Sequence, residues 1–219
     1  MSGLVFAERP AAGQAAGLLV LHHGRGADEH DLLALAGVID PERRLHVVTP
    51  RAPLQPTGSA GYHWYLVPRV GHPDPGTFNA AFVALSELHD ELWERTGIGP
   101  EQTILGGFSM GSVMSYALAF AAARPAPAGV LAFSGFMPTV AGWEAELASR
   151  RDVGVFIAHG DRDQVIDVAF AREAAARLRA AGVAVDYHES AAGHHIDPRQ
   201  LPLAAAWVRQ RLDAGAGGA

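Results

Sequence analysis

No cysteine occurs anywhere in the 219 residues. Disulfides, thiolate metal ligands and a cysteine nucleophile are therefore excluded. Net basicity is missing as well: 17 Lys and Arg stand against 23 Asp and Glu, a formal charge of −6. A balance of that sign advertises neither nucleic acid nor an anionic membrane as a partner. No apolar run reaches the ~18 residues that a spanning helix needs, so no membrane span is expected. The first residues carry neither a basic n-region nor a long apolar h-region, the marks of a secretory signal, and a cytoplasmic location is the expectation. No internal repeat or second domain is visible. With 49% hydrophobic and 18% charged residues, residues 1–213 read as a single globular domain, followed by a Gly/Ala tail over 214–219 that is expected to be disordered.

What is present centres on Gly107-Phe108-Ser109-Met110-Gly111. The β-rich run Thr103-Ile104-Leu105 enters it and an Ala-rich helical pattern leaves it. A G-x-S-x-G pattern between strand and helix is the nucleophile elbow of α/β-hydrolases. The sharp turn exposes the serine hydroxyl, and the flanking glycines keep side chains out of a crowded bend. The helix that follows points its N-terminus at the serine, which favours a developing oxyanion. The bland alternative is an ordinary Gly-rich turn between a strand and a helix.

Around this stretch the chain alternates apolar runs with helical patterns. Short strands are expected at 4–8, 18–21, 45–49, 129–134, 153–158 and 183–188. Helices are expected from Asp28 as N-cap to about Gly37, from 75–77 to Gly97, from the elbow to about Ala123, over 167–181 and over 198–212. Continuous apolar strands between helices imply an α/β fold with a mainly parallel sheet and helices on both faces. The 50–76 stretch is long, rich in Pro and Gly, and carries Trp64 and Tyr65 as candidate walls of a substrate pocket. Residues 135–152 leave room for a turn and a small helix but not for a cap domain.

Ligands gather beyond the carboxyl ends of strands in such sheets. That rule selects Ser109, then Asp161 or Asp163, then His194 or His195: a hydroxyl, an acid to orient a base, and the base itself. Gly24-Arg25-Gly26, after an early strand, reads either as the start of a dinucleotide fingerprint or as the source of an oxyanion-hole N–H. The first is weak because Glu29 stands where the third glycine belongs. His22, His23 and Asp28 invite a metal reading, but no ligand pair at helical spacing supports it, and neither metal nor cofactor is expected.

Four blocks give the resemblance its specificity: His23-Gly24-Arg25-Gly26-Ala27-Asp28, Gly107-Phe108-Ser109-Met110-Gly111, His159-Gly160-Asp161-Arg162-Asp163-Gln164-Val165-Ile166 and Gly193-His194-His195-Ile196. In content and order they resemble the phospholipase/carboxylesterase family of small α/β-hydrolases, which includes acyl-protein thioesterases. The resemblance implies a catalytic triad of Ser109, Asp163 and His194, with an oxyanion hole from the N–H groups of Arg25 and Met110. Many relatives carry Gln directly after the serine, where this chain has Met110. The implied activity is that of a serine carboxylesterase working through an acyl-enzyme, and a 50–76 loop too short to enclose a long chain makes short- to medium-chain acyl esters of small molecules the expected substrates. Acyl-protein thioesterase or lysophospholipase activity is the alternative, and a catalytically silent binding protein of the same fold a minor one.

Overall fold

The computed structural model describes residues 3–216. Its strands are β1 (Phe6–Arg9), β2 (Gly17–His22), β3 (Leu45–Pro50), β4 (Thr103–Phe108), β5 (Gly129–Phe133), β6 (Gly154–Gly160) and β7 (Val185–Ser190). The helices are α1 (Ala36–Ile39), α2 (Pro75–Thr96), α3 (Met110–Phe120), α4 (Val168–Ala180) and α5 (Leu201–Ala216). The strands form one sheet in the order β1-β3-β2-β4-β5-β6-β7, with only β1 antiparallel to its neighbour. After β2 the chain moves outward to β3, then returns to place β4 on the other side of β2. The loops leaving β2 and β4 therefore diverge and open a crevice at their carboxyl ends.

Both faces of the sheet are covered, which is why its inner strands read as unbroken apolar runs. β2 divides its side chains by the period of two: Leu18 and Val20 join one core, Leu19 and Leu21 the other. The first core takes α2, α3 and α4, through Leu85, Leu88, Val113, Ala117, Ala171 and Leu178. The second takes α1 and α5, through Ala36, Ile39, Ala204, Val208 and Leu212. The layering is that of the α/β-hydrolase fold, without a cap domain.

Local chemistry sets both ends of α2 and the start of α4. Asp74 accepts the Thr77 N–H at 2.9 Å, Pro75 follows as the first helical residue, and Gly97 ends α2 with φ 67°. Asp167 caps α4 by accepting the Ala169 N–H at 2.8 Å.

The structure corrects several expectations. The helix foreseen from Asp28 to Gly37 is a turn, a 3-10 segment at Leu33–Leu35 and the short α1. Its beginning is tied elsewhere: Ala27 bridges to Tyr62, Thr49 Oγ1 donates to the Glu29 carbonyl, and the Glu29 carboxylate pairs with Arg51. Asp28 instead closes a local turn onto the His30 N–H at 2.8 Å. α3 stops at Phe120, because Ala121 turns extended at φ −76°, ψ 133°. No helix forms within residues 135–152. α5 runs on through Ala216, so residues 214–216 are helical, and the rest of the expected tail lies outside the described residues. No helix among the described residues is long and apolar enough to cross a membrane.

Candidate active site

β4 and α3 meet at Ser109, which holds φ 55° and ψ −117°. A side chain at positive φ is strained, and the surroundings hold it there. Its N–H donates to the Phe133 carbonyl at 2.8 Å, and its own carbonyl accepts the Val113 N–H at 3.2 Å. A Cβ at Gly107 would overlap the backbone of Gly111, and one at Gly111 would overlap the His22 carbonyl. Both glycines are thus required by close approach between the elbow, the first turn of α3 and the end of β2.

The Ser109 hydroxyl makes no capping bond to the helix. It lies 2.9 Å from His194 Nε2, and His194 Nδ1 lies 2.7 Å from Asp163 Oδ2. The geometry assigns the tautomer: Nδ1–H donates to the carboxylate and Nε2 accepts from the serine O–H. Asp163 is held from behind, since its Oδ1 accepts the N–H groups of Val165 and Ile166 at 2.8 and 2.9 Å. Burial pushes the Asp163 carboxyl up, but the bonds from His194, Ile166 and Val165 outweigh it and hold it below the ordinary carboxylate value. His159, wholly buried, donates through Nε2 to the Ile166 carbonyl at 2.8 Å and lies 3.3 Å from Asp163 Oδ2. The Phe108 ring packs against His194, centroids 4.9 Å apart. Of the paired candidates, Asp163 and His194 meet Ser109. Asp161 faces solvent beside Arg162, and His195 is exposed.

Met110 opens α3, so its N–H has no carbonyl in the preceding turn to meet. Arg25 follows β2 at the crevice, and its N–H donates to no other protein group among the described residues. The loop that carries it is pinned. His23 Nδ1–H donates to the Gly24 carbonyl at 2.7 Å, while His23 Nε2 accepts the Ala52 N–H at 3.0 Å. Burial lowers the His23 pKa, in keeping with a neutral ring in that role.

A cleft opens over Ser109, with Tyr65, Val67, Val70, Phe136, Val165 and Ile166 as its apolar wall and Arg25 and Met110 also in its lining. Tyr65 thus lies where a pocket residue was expected. Trp64 does not. It is 0% exposed and outside the cleft lining, its indole packed instead against His22 and His23. There its Nε1–H donates to the His23 carbonyl at 2.9 Å, and its backbone N–H to Met110 Sδ at 3.2 Å.

Sequence reasoning missed a buried polar chain under the elbow. Ser115 Oγ donates to the Gly111 carbonyl at 3.0 Å and accepts from His22 Nδ1 at 2.8 Å, and His22 Nε2 sits 3.4 Å from His89 Nε2. The available signal was His89 standing on the apolar stripe of α2, one position after Leu88.

Comparison with known proteins gives the chain a family. The sequence profile described as Phospholipase/Carboxylesterase matches residues 7–211. The chain is 25% identical over 216 residues to a lysophospholipase-like protein 1 of Mus musculus, covering 93% of this chain and 90% of that one. It is 30% identical over 200 residues to the esterase YpfH of Escherichia coli K12, covering 89% and 83%. Among solved structures, that of esterase PE8 superposes with a TM-score of 0.80 at 31% identity, covering 94% of this chain and 98% of the other. Its fold, its elbow and this match over almost the whole chain make the protein a member of the phospholipase/carboxylesterase family of ester hydrolases.

Proposed function

We propose that the protein is a serine carboxylesterase, built as one catalytic domain, that hydrolyses short- to medium-chain acyl esters of small molecules without a cofactor. Ser109 is the nucleophile. His194 takes its proton as Oγ attacks the ester carbonyl, and Asp163 fixes the imidazole tautomer and stabilises the imidazolium. The tetrahedral oxyanion accepts from the N–H groups of Arg25 and Met110, which cost no reorganisation because neither is engaged beforehand. The imidazolium then protonates the departing alkoxide. Water, activated by the same His194, hydrolyses the acyl-enzyme.

One observation carries the reading: a single imidazole spans Ser109 Oγ and Asp163 Oδ2 with hydrogen-bonding distances at both ends. A thioester substrate fits the same machinery, as does a lysophospholipid. The open, short apolar wall favours small esters. A fluorophosphonate probe tests the chemistry: it should label the wild-type protein at Ser109 and leave Ser109→Ala unlabelled. An unlabelled wild-type would instead point to a binding protein of the same fold. A matched panel of esters and thioesters then ranks the two enzymatic readings.

A further inference from the structure

Met110 is the sulfur of the site. It follows Ser109 directly, is 4% exposed, and lines the cleft beside Ser109, Tyr65 and Phe136. Its Sδ accepts the Trp64 N–H at 3.2 Å, a weak bond because a thioether's diffuse lone pairs are poor acceptors, and one that leaves the sulfur nucleophilic. The chain has no thiol to intercept an oxidant first, and only 4 methionines. Met114 is 0% exposed within α3, and Met137, 6% exposed, does not line the cleft.

We propose that Met110 is an oxidation site through which peroxides switch the enzyme off. The inference rests on the esterase reading of Ser109. In the reaction a sulfur lone pair attacks one oxygen of hydrogen peroxide and the O–O bond breaks. An S–O bond forms and the other oxygen leaves as water. Sulfur is oxidised by two electrons and the peroxide is reduced by two, so no further reactant is needed. The product is a chiral, polar sulfoxide. Its oxygen either turns inward, crowding the Trp64 N–H and the segment behind the Arg25 loop, or turns into the cleft, placing a strong acceptor on apolar surface next to Ser109. Both outcomes disturb the residue whose N–H faces the oxyanion. A glutamine at this position carries an amide oxygen able to accept the Trp64 N–H and has no sulfur to oxidise.

The test treats the purified full-length protein with hydrogen peroxide and follows p-nitrophenyl butyrate hydrolysis alongside peptide mass spectrometry. Activity should fall roughly tenfold or more, in step with the sulfoxide fraction at Met110, and methionine sulfoxide reductases should restore it. Met110→Gln, measured against its own untreated rate, should resist, while Met137→Leu should lose activity as the wild type does. Complete sulfoxide at Met110 with the rate retained would overturn the proposal, and so would Met110→Gln failing as fast as the wild type. If Met110→Gln does not fold, the wild-type correlation and its reversal by reductase decide alone. Untreated Ser109→Ala separates the two layers: full activity there overturns the esterase reading itself. An inactive Ser109→Ala beside a peroxide-resistant wild type overturns only the oxidation site.

Discussion

The indole N–H of Trp64 donates to the backbone carbonyl of His23 at 2.9 Å. Trp64 therefore touches the loop that leads to Arg25 and does not line the cleft. The bond joins the aromatic 62–65 segment to the end of β2. The T-shaped contact of His22 with the same indole, centroids 5.6 Å apart, joins it to the polar chain beneath the elbow.

Trp64→Phe is expected to keep most of the ring packing and to leave the His23 carbonyl without its donor. Stability should drop by about 1–3 kcal/mol, the usual cost of an unsatisfied buried group. The kinetic loss should appear in kcat, about tenfold, with KM little changed, because in the proposed mechanism the displaced Arg25 N–H serves the oxyanion and is not a wall. Thermal melts and Michaelis curves check this. A change confined to KM would restore Trp64 to the acyl pocket.

The sheet and its order of elements were legible because buried parallel strands are continuous apolar runs and helices such as α2 carry their caps in sequence. The choice of Asp163 over Asp161 came from the resemblance. Spacing alone left both open, and what separates them is the Val165 and Ile166 N–H groups turned onto one carboxylate. The Asp28 helix was misread because tertiary bonds from Thr49 and Arg51 override local capping preference. Trp64 was misread because composition marks an aromatic loop as a pocket without saying which neighbour faces in. The His22–His89 contact joins residues 67 positions apart, and no local pattern reports such a pair.

Arg25→Ala should cost far less than the ~10²–10³ in kcat expected when an oxyanion donor is lost, since the proposed donor is the backbone. The guanidinium is exposed and can be removed without moving the N–H. A deficit of the full size would show that the side chain itself meets the reacting atoms.

Ser109→Ala and His194→Ala should each lower kcat by several orders of magnitude with the fold intact. The double variant should be little worse than either, because nucleophile and base act as a unit. His195→Ala should be nearly silent, as that side chain is exposed and outside the hydrogen-bonded chain. Independent, additive losses for Ser109 and His194 would contradict the shared role.

Acid should weaken the fold well before the carboxylates titrate. Burial pushes His89 down from the ordinary 6.5 to about 3, with Arg124 adding to it, and burial with His89 and His23 nearby lowers His22 strongly. Both are neutral in the folded protein, whereas the unfolded chain takes up their protons below about 6.5. Their contribution is complete above that pH and is lost as the pH falls toward the folded values. The slope is about 1.4 kcal/mol per pH unit for each proton taken up. Denaturant titrations from pH 7 to 4 should show it. His89→Phe should be less stable at pH 7 yet flatter in this window. An unchanged slope would mean that the acid sensitivity lies elsewhere.

On the proposed esterase reading, acyl chain length would be limited by the wall formed by Tyr65, Val67, Val70, Phe136, Val165 and Ile166. Each methylene buried there is worth about 0.8 kcal/mol, or about fourfold in kcat/KM if it is realised in the transition state. The wall is one-sided, and Val70 and Val165 at 43% and 53% exposure already stand in solvent. Carbons beyond them lie in water and add little. A series of p-nitrophenyl esters should therefore rise steeply at short lengths, then level or fall at medium length. Phe136→Ala should flatten the rise by removing packed surface next to Met110. Trp64→Ala should lower every ester alike, since that ring touches none of them. A preference that keeps climbing through long chains below their micellar limit would require an acyl tunnel that this cleft does not possess, and the thioesterase or lysophospholipase reading would then lead.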